Sequence, residues 1–175
     1  MKKVAIVGTG PSWILTPFKD PEMEVWYLNE MEIHNPPMPH RWFQIHSLAV
    51  ANADHNPEHT KHLAKLKIPV YMQKHYPEIP ASIPLPKDVL TERFGTYFGC
   101  TASWAVALAI DEGFREIHLY GLDFPVFYMD REPNGYIQRA SIEHKLGMAQ
   151  ALGIKVVLPP SSTLLKTPKV YGYEE

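Results

Sequence analysis

Cysteine is nearly missing from this chain: Cys100 is the only one in 175 residues. A single thiol forms no internal disulfide, which points to a reducing, cytoplasmic setting. Long apolar runs are missing as well, and nothing approaches the ~20 consecutive apolar residues that a bilayer-spanning helix needs. The opening "MKKVAIVGTGP" begins as a secretory signal does, but Gly8, Gly10 and Pro11 break it after a handful of apolar residues. No sign of charge dominates: 17 Lys+Arg stand against 19 Asp+Glu, for a formal net charge of -2. That balance gives no general electrostatic reason to bind nucleic acid or an anionic membrane. There is also no internal repeat and no low-complexity tract.

What is present suits one soluble globular domain spanning residues 1–175. The hydrophobic content is 45%, and a domain of this length buries roughly 70% of the surface its unfolded chain exposes. Residues 3–8 are apolar and β-branched, as in a strand buried on both faces of a parallel sheet. "EVWYLN" (24–29), "WFQIHS" (42–47), "IPVYM" (68–72), "FREIHLYGLD" (114–123) and "IKVVLP" (154–159) read as further strands. "HNPEHTKHLAKLK" predicts a helix with Asn56 as N-cap, Pro57 at its first position and Leu63 and Leu66 inward. "TASWAVALAIDEG" predicts a buried helix capped by Thr101 and stopped at Gly113. Residues 136–152 form an amphipathic helix with Ile142, Leu146, Ala149 and Leu152 inward and Gly153 as its stop. From about 73 to 99 the prolines at 77, 80, 84 and 86 predict an irregular excursion. Strands alternating with helices imply an α/β fold, a mostly parallel sheet with helices on both faces.

In such a sheet a ligand sits beyond the carboxyl ends of the strands, where helix N-termini present free N–H groups. The residues just past the predicted strands are Gly8, Thr9, Gly10 and Ser12, then Asn29 and Glu30, then His46, then Asp123, with Thr101 and Ser103 at a helix start. The glycine stretch "VAIVGTGPSW" is not a dinucleotide fingerprint. G-x-G-x-x-G needs a third glycine for close helix packing, and Trp13 occupies that position. No lysine completes an ATP-type phosphate loop either. What is left is a tight turn whose amides and Ser12 hydroxyl meet one phosphate or a ribose.

Asp123 ends its strand either as a base and hydroxyl acceptor or as the cap of the following turn. His46 reads as a general base or as a hydrogen-bonded wall residue. Tyr136, Gln138 and Arg139 open a helix and reach a phosphate, unless Arg139 pairs with Glu143 four residues on. His55, His59 and His62 suggest a metal cluster, but no acidic or cysteine partner completes a ligand set, so a solvated helix face is preferred and no metal is assigned. Cys100, before the helix start, reads as a packed structural thiol rather than a reactive one. Trp42 and Tyr171 are candidates for self-association into a homo-oligomer.

Taken together, "VAIVGTGPSW", "WYLNE", "RWFQIHS", "TASWAVALAIDEGFREIHLYGLDF" and "YIQRASIEHKLGMAQALGIKVVLPPSSTLL" resemble a family of small Rossmann-like proteins of phages and prophages. More distantly, "GTGPS", Asn29 and "IHLYGLDF" are similar to bacterial sialyltransferases and to motility-accessory and pterin pyrophosphokinase-like proteins. The resemblance implies a single Rossmann-like domain that binds a nucleotide, often as a CMP-sugar, with Gly8, Gly10, Ser12 and Asn29 in contact and Asp123 nearby. The chain is short for a transferase and shows no evident acceptor-binding lid. Three expectations follow. One is an enzyme that transfers the sugar or hydrolyses the donor, with Asp123 or His46 as base and no cofactor required. Another is a non-catalytic protein that sequesters a nucleotide in the host cytoplasm during phage infection. The third is a structural protein with a vestigial site.

Overall fold

The computed structural model describes residues 1–50, 57–125 and 134–173. Seven strands form one sheet: β1 (Lys3–Val7), β2 (Met23–Leu28), β3 (Arg41–Phe43), β4 (Val70–Met72), β5 (Ser82–Pro84), β6 (Glu116–Tyr120) and β7 (Lys155–Val157). Their order is β5-β4-β3-β2-β1-β6-β7, and every neighbouring pair is parallel. The described helices are α1 (Pro57–Leu63), α2 (Lys87–Phe94), α3 (Thr101–Asp111) and α4 (Gly135–Ala151), with short 3-10 turns at Pro11–Leu15 and Met31–His34. This is an α/β fold of the Rossmann-like type.

Period-two alternation between two buried faces explains why the central strands are mostly apolar. In β1, Val4 and Ile6 join one core while Ala5 and Val7 join the other. In β2, Trp26 and Leu28 face the first core, and Val25 and Tyr27 the second. The first core is covered by Leu90 and Phe94 of α2, by almost all of α3, and by Ile142, Leu146 and Ala149 of α4. The second is closed by Leu63 of α1, Leu66 beyond it, Met31 and Trp13. A strand buried on both sides has no polar face to alternate.

Several expectations from the sequence are corrected. Residues 73–99 are not irregular throughout, since they hold β5 and α2. Proline is tolerated there because Pro84 lies on an edge strand and Pro86 at a helix N-cap, where no donated N–H is needed. Strand 42–47 is shorter than expected and begins one residue earlier, at Arg41. Cys100, not Thr101, is the N-cap of α3, with Thr101 as the first helical residue. Leu152 is 54% exposed because the helix ends at Ala151, just before it. Trp42, expected at an oligomer surface, is 2% exposed: its ring packs in the second core and its indole N–H donates to the Asn29 carbonyl oxygen. Tyr171 is exposed. His59 does not lie on a solvated helix face. It is fully buried between Gln44 and Glu32. His55 and Asn56 lie outside the described residues.

Candidate functional site at the β1–β6 edge

The chain runs outward from β1 through β2 to β5 and then returns to the other side of β1 as β6. Strand order therefore reverses between β1 and β6, where α/β sheets open a crevice. The loops leaving these two strands interlock. Gly8 N–H donates to the Tyr120 carbonyl at 2.9 Å, and Gly10 N–H to the Gly121 carbonyl at 2.9 Å. In return Gly121 N–H donates to the Ser12 hydroxyl oxygen at 2.8 Å, and Ser12 N–H donates to Asp123 Oδ2 at 3.0 Å. The contact requires glycine. Gly121 has φ +63, and a Cβ there would lie 1.9 Å from the Gly8 carbonyl oxygen.

This interlock changes the role expected of the glycine loop. The amides of Gly8, Gly10 and Ser12, and the Ser12 hydroxyl, are spent on the β6 loop rather than turned toward a phosphate. Thr9, whose N–H has no partner among the described residues, lines a cavity of about 330 Å³ beside the loop. That volume falls in the roughly 300–1,000 Å³ range of small-molecule sites. Leu28 and Asn29 supply one wall, Cys100 to Ala102 another, and Gly121 to Pro125 with Gln138 the remainder.

Asn29 is held from several directions. It adopts left-handed backbone geometry (φ 52), which asparagine tolerates better than most residues. Its N–H donates to the Phe43 carbonyl, and its own carbonyl accepts the Trp42 indole N–H at 2.7 Å. Its Oδ1 accepts the Thr101 hydroxyl at 3.1 Å, leaving the side-chain NH₂ without a protein partner among the described residues.

Helix α3 begins at this wall. Cys100 and Ser103 form a capping box in which the Ser103 N–H meets the thiol and the Ser103 hydroxyl oxygen accepts the Cys100 N–H. The Ala102 amide also faces the Cys100 thiol, the Thr101 amide is left as the orphan donor of the first turn, and both residues line the cavity. They stand at the positive end of an 11-residue helix. Among the described residues no lysine or arginine lines the cavity, so amides and the helix dipole are the positive groups there. Burial pushes the Cys100 thiol above its ordinary range, so it is neutral at neutral pH and serves as a cap.

The structure gathers Gly8, Thr9, Gly10, Asn29, Thr101, Asp123 and Gln138 around one space. Ser12 and Ser103 are buried behind it and fasten its frame. Glu30 lies outside the lining, where its carbonyl accepts the Ile33 N–H in a 3-10 turn. His46 lies outside too, with Nδ1 2.7 Å from Gln44 Oε1. Tyr136 is exposed. Arg139 pairs with Glu143 at 2.9 Å and also donates to the Thr163 carbonyl at 2.7 Å. Both Asp123 oxygens accept protein hydrogen bonds, Oδ2 from Ser12 N–H and Oδ1 from the Ser161 hydroxyl at 2.9 Å. The sequence reading missed Ser161 and Thr163, whose only signal was the hydroxyl-rich "PPSST" after the last strand.

No protein-family model matches this sequence, and no curated protein matches it significantly. Solved structures do. The sialyltransferase CstII from Campylobacter jejuni in complex with cytidine-5'-monophosphate is 18% identical with a TM-score of 0.60, covering 94% of this chain and 82% of that one. The same enzyme in complex with the substrate analogue CMP-3FNeuAc gives a TM-score of 0.58 at 18% identity, covering 90% of this chain and 80% of that one. A substituted Cst-II with CMP gives 0.61 at 18% identity, over 93% and 84%. At this identity the likeness shows a shared fold.

Proposed function

We propose that the β1–β6 cavity holds a nucleotide or nucleotide-sugar and that the chain is a glycosyltransferase-like protein. The carrying observation is the α3 N-terminus, whose orphan Thr101 amide meets the Asn29 NH₂ and Thr9 N–H, both without a partner among the described residues, where strand order reverses. Three neutral donors at a helix N-terminus beside one apolar-walled cavity suit a phosphate ester better than a free cation or an apolar ligand. The solved structures of like fold carry CMP or a CMP-linked analogue, which supports the same ligand class. In this reading the Thr101 amide and the positive end of α3 take the phosphate, and Asn29 and Gln138 take the ribose or base. In transfer or hydrolysis the oxygen of an acceptor hydroxyl or of water bonds to the sugar carbon as the bond from that carbon to the phosphate oxygen breaks. The phosphate leaves with the electron pair and takes up the proton the attacking oxygen loses, and the helix end carries the phosphate's remaining charge.

A second reading, a binding protein that does no chemistry, is favoured by the engagement of both Asp123 oxygens and by the position of His46 outside the lining. A cytoplasmic location belongs to the same proposal and rests on the single cysteine. Phage ancestry rests on the sequence resemblance. Among the described residues no helix is long and apolar enough to cross a membrane. The test is incubation with a CMP-sugar followed by NMR of the sugar anomeric signals. Transferred or free sugar supports the enzyme, whereas tight binding with unchanged ligand recovered after denaturation supports the second reading. Failure to bind CMP, any CMP-sugar or any other nucleotide or nucleotide-sugar overturns both.

A further inference from the structure

Trp13 stands where a dinucleotide-binding loop keeps its third glycine, and its ring is put to a different use. The indole stacks on the imidazole of His34, with ring centroids 4.9 Å apart and planes 21° apart. His34 Nε2 in turn lies 2.9 Å from the Thr9 carbonyl oxygen. A carbonyl only accepts, so Nε2 carries the hydrogen and donates to Thr9. His34 is presented from outside the glycine loop, as the last residue of the 3-10 turn Met31–His34 that follows β2. Met31 is fully buried in the second core, and Asn35, at φ 48, ends the turn with its N–H on the Glu32 carbonyl. Beyond it the Tyr27 hydroxyl donates to the Pro37 carbonyl at 2.6 Å. The segment that carries the imidazole is therefore tied down on both sides of it.

The contact completes the hold on one peptide plane. In the unit between Thr9 and Gly10, the Gly10 N–H donates to the Gly121 carbonyl and the Thr9 carbonyl accepts from His34. The N–H and C=O of a trans peptide point in opposite directions. The glycine loop is thus held between the β6 loop on one side and the β2 loop on the other. One step earlier, the Gly8 N–H is fastened to the Tyr120 carbonyl. The peptide between these two anchored units carries the Thr9 N–H, which has no partner among the described residues. Gly8 and Gly10, on either side of Thr9, are the most permissive backbone residues, so that peptide turns readily once an anchor is lost.

From this we infer that His34 is a positioning residue for the ligand of the β1–β6 cavity: braced by Trp13, it holds the Thr9 carbonyl so that the Thr9 N–H stands as a fixed donor at the cavity wall. The inference rests on the nucleotide reading of that cavity. His34 does not itself line the cavity, so its effect on the ligand passes through Thr9.

Two variants of the full-length protein separate the hydrogen bond from the ring. His34→Phe keeps a ring against Trp13 and removes the donor, whereas His34→Gln places an amide N–H near the position of Nε2 and removes the ring. Both are compared with the wild type by the Thr9 ¹³C carbonyl and ¹⁵N amide signals without ligand, by calorimetric titration with CMP, and by melting temperature. His34→Phe is expected to move both Thr9 signals and to weaken CMP about fivefold to tenfold, with little change in melting temperature. His34→Gln is expected to leave the Thr9 carbonyl signal near its place and to restore affinity to within about threefold of the wild type. A residue that only braced the fold through its ring would show the reverse, with Phe tolerated and Gln not. Equal CMP affinity in the wild type and His34→Phe overturns the inference and leaves the nucleotide reading standing. So does a loss in His34→Gln as large as that in His34→Phe. Wild-type protein that binds neither CMP nor any other nucleotide or nucleotide-sugar overturns the nucleotide reading itself, and the role of His34 falls with it.

Discussion

Ser12 and Asp123, 111 residues apart in sequence, fasten the two central loops to each other. The Ser12 N–H donates to Asp123 Oδ2, and the Ser12 hydroxyl accepts the neighbouring Gly121 N–H. Asp123 is therefore first a clamp. Asp123→Asn replaces one acceptor oxygen with an NH₂ that faces a donor, either the Ser12 N–H or the Ser161 hydroxyl. The expected loss is about 1–3 kcal/mol of stability, seen as a lower urea midpoint, with nucleotide affinity falling alongside it. If Asp123 acted only as a base, turnover would drop and the midpoint would stay.

Gly121 is the tightest point of the interlock. Gly121→Ala places a methyl 1.9 Å from the Gly8 carbonyl oxygen in a left-handed residue, so the loops must separate. The expected cost is about 4 kcal/mol or more, at the severe end for a single substitution. Gly113→Ala is the control, at a left-handed glycine (φ +79) that ends α3, with nothing within 4 Å of the added methyl. It costs only the intrinsic penalty of about 1–2 kcal/mol. Denaturant unfolding of both variants measures the difference.

Thr101→Val removes the hydroxyl that donates to Asn29 Oδ1 while keeping the shape of the first turn of α3. Asn29 is then less well oriented toward the cavity. CMP affinity is expected to fall about fivefold to tenfold, equivalent to roughly 1 kcal/mol, with little change in melting temperature. Isothermal titration checks the first and a thermal scan the second.

Acid weakens the fold in two stages. Burial holds the His62 imidazole below its ordinary 6.5, so the unfolded chain takes up a proton there before the folded chain does. That contribution is complete above 6.5 and declines as pH falls toward the lowered folded value. Glu116 is held below its ordinary 4.5, chiefly by its hydrogen bond with His118 and further by Lys155, against some cost of burial. Its contribution is present above 4.5 and is lost as pH falls through the folded value. Melting temperature should therefore begin to drop as pH falls below about 6.5, and His62→Gln should flatten that step.

Legibility of the sequence followed the range of the interactions. β1, β2, β6 and α3 were readable because burial on both sides writes long apolar runs, and Gly113 marks where α3 stops. β5 and α2 were not, because prolines that would break an interior element are harmless at a sheet edge and a helix cap. The location of the site at the strand ends was readable from Gly8, Asn29 and Thr101. The direction of the glycine-loop amides was not, since it is set by Tyr120, Gly121 and Asp123, more than a hundred residues away. His59 misled for a similar reason. Its partners Gln44 and Glu32 come from other parts of the sheet edge, and helical spacing alone suggests a solvated face.

Nucleotide binding at the β1–β6 edge is tested most directly by titrating ¹⁵N-labelled protein with CMP and following the backbone amides of Thr9, Thr101 and Ala102 and the side-chain NH₂ of Asn29. Saturable shifts at these four groups, with the Gly8, Gly10 and Ser12 amides moving far less, are the expected result. No saturable shift at them up to about 10 mM, beyond which affinity is weaker than about -3 kcal/mol, or shifts centred elsewhere, would contradict it.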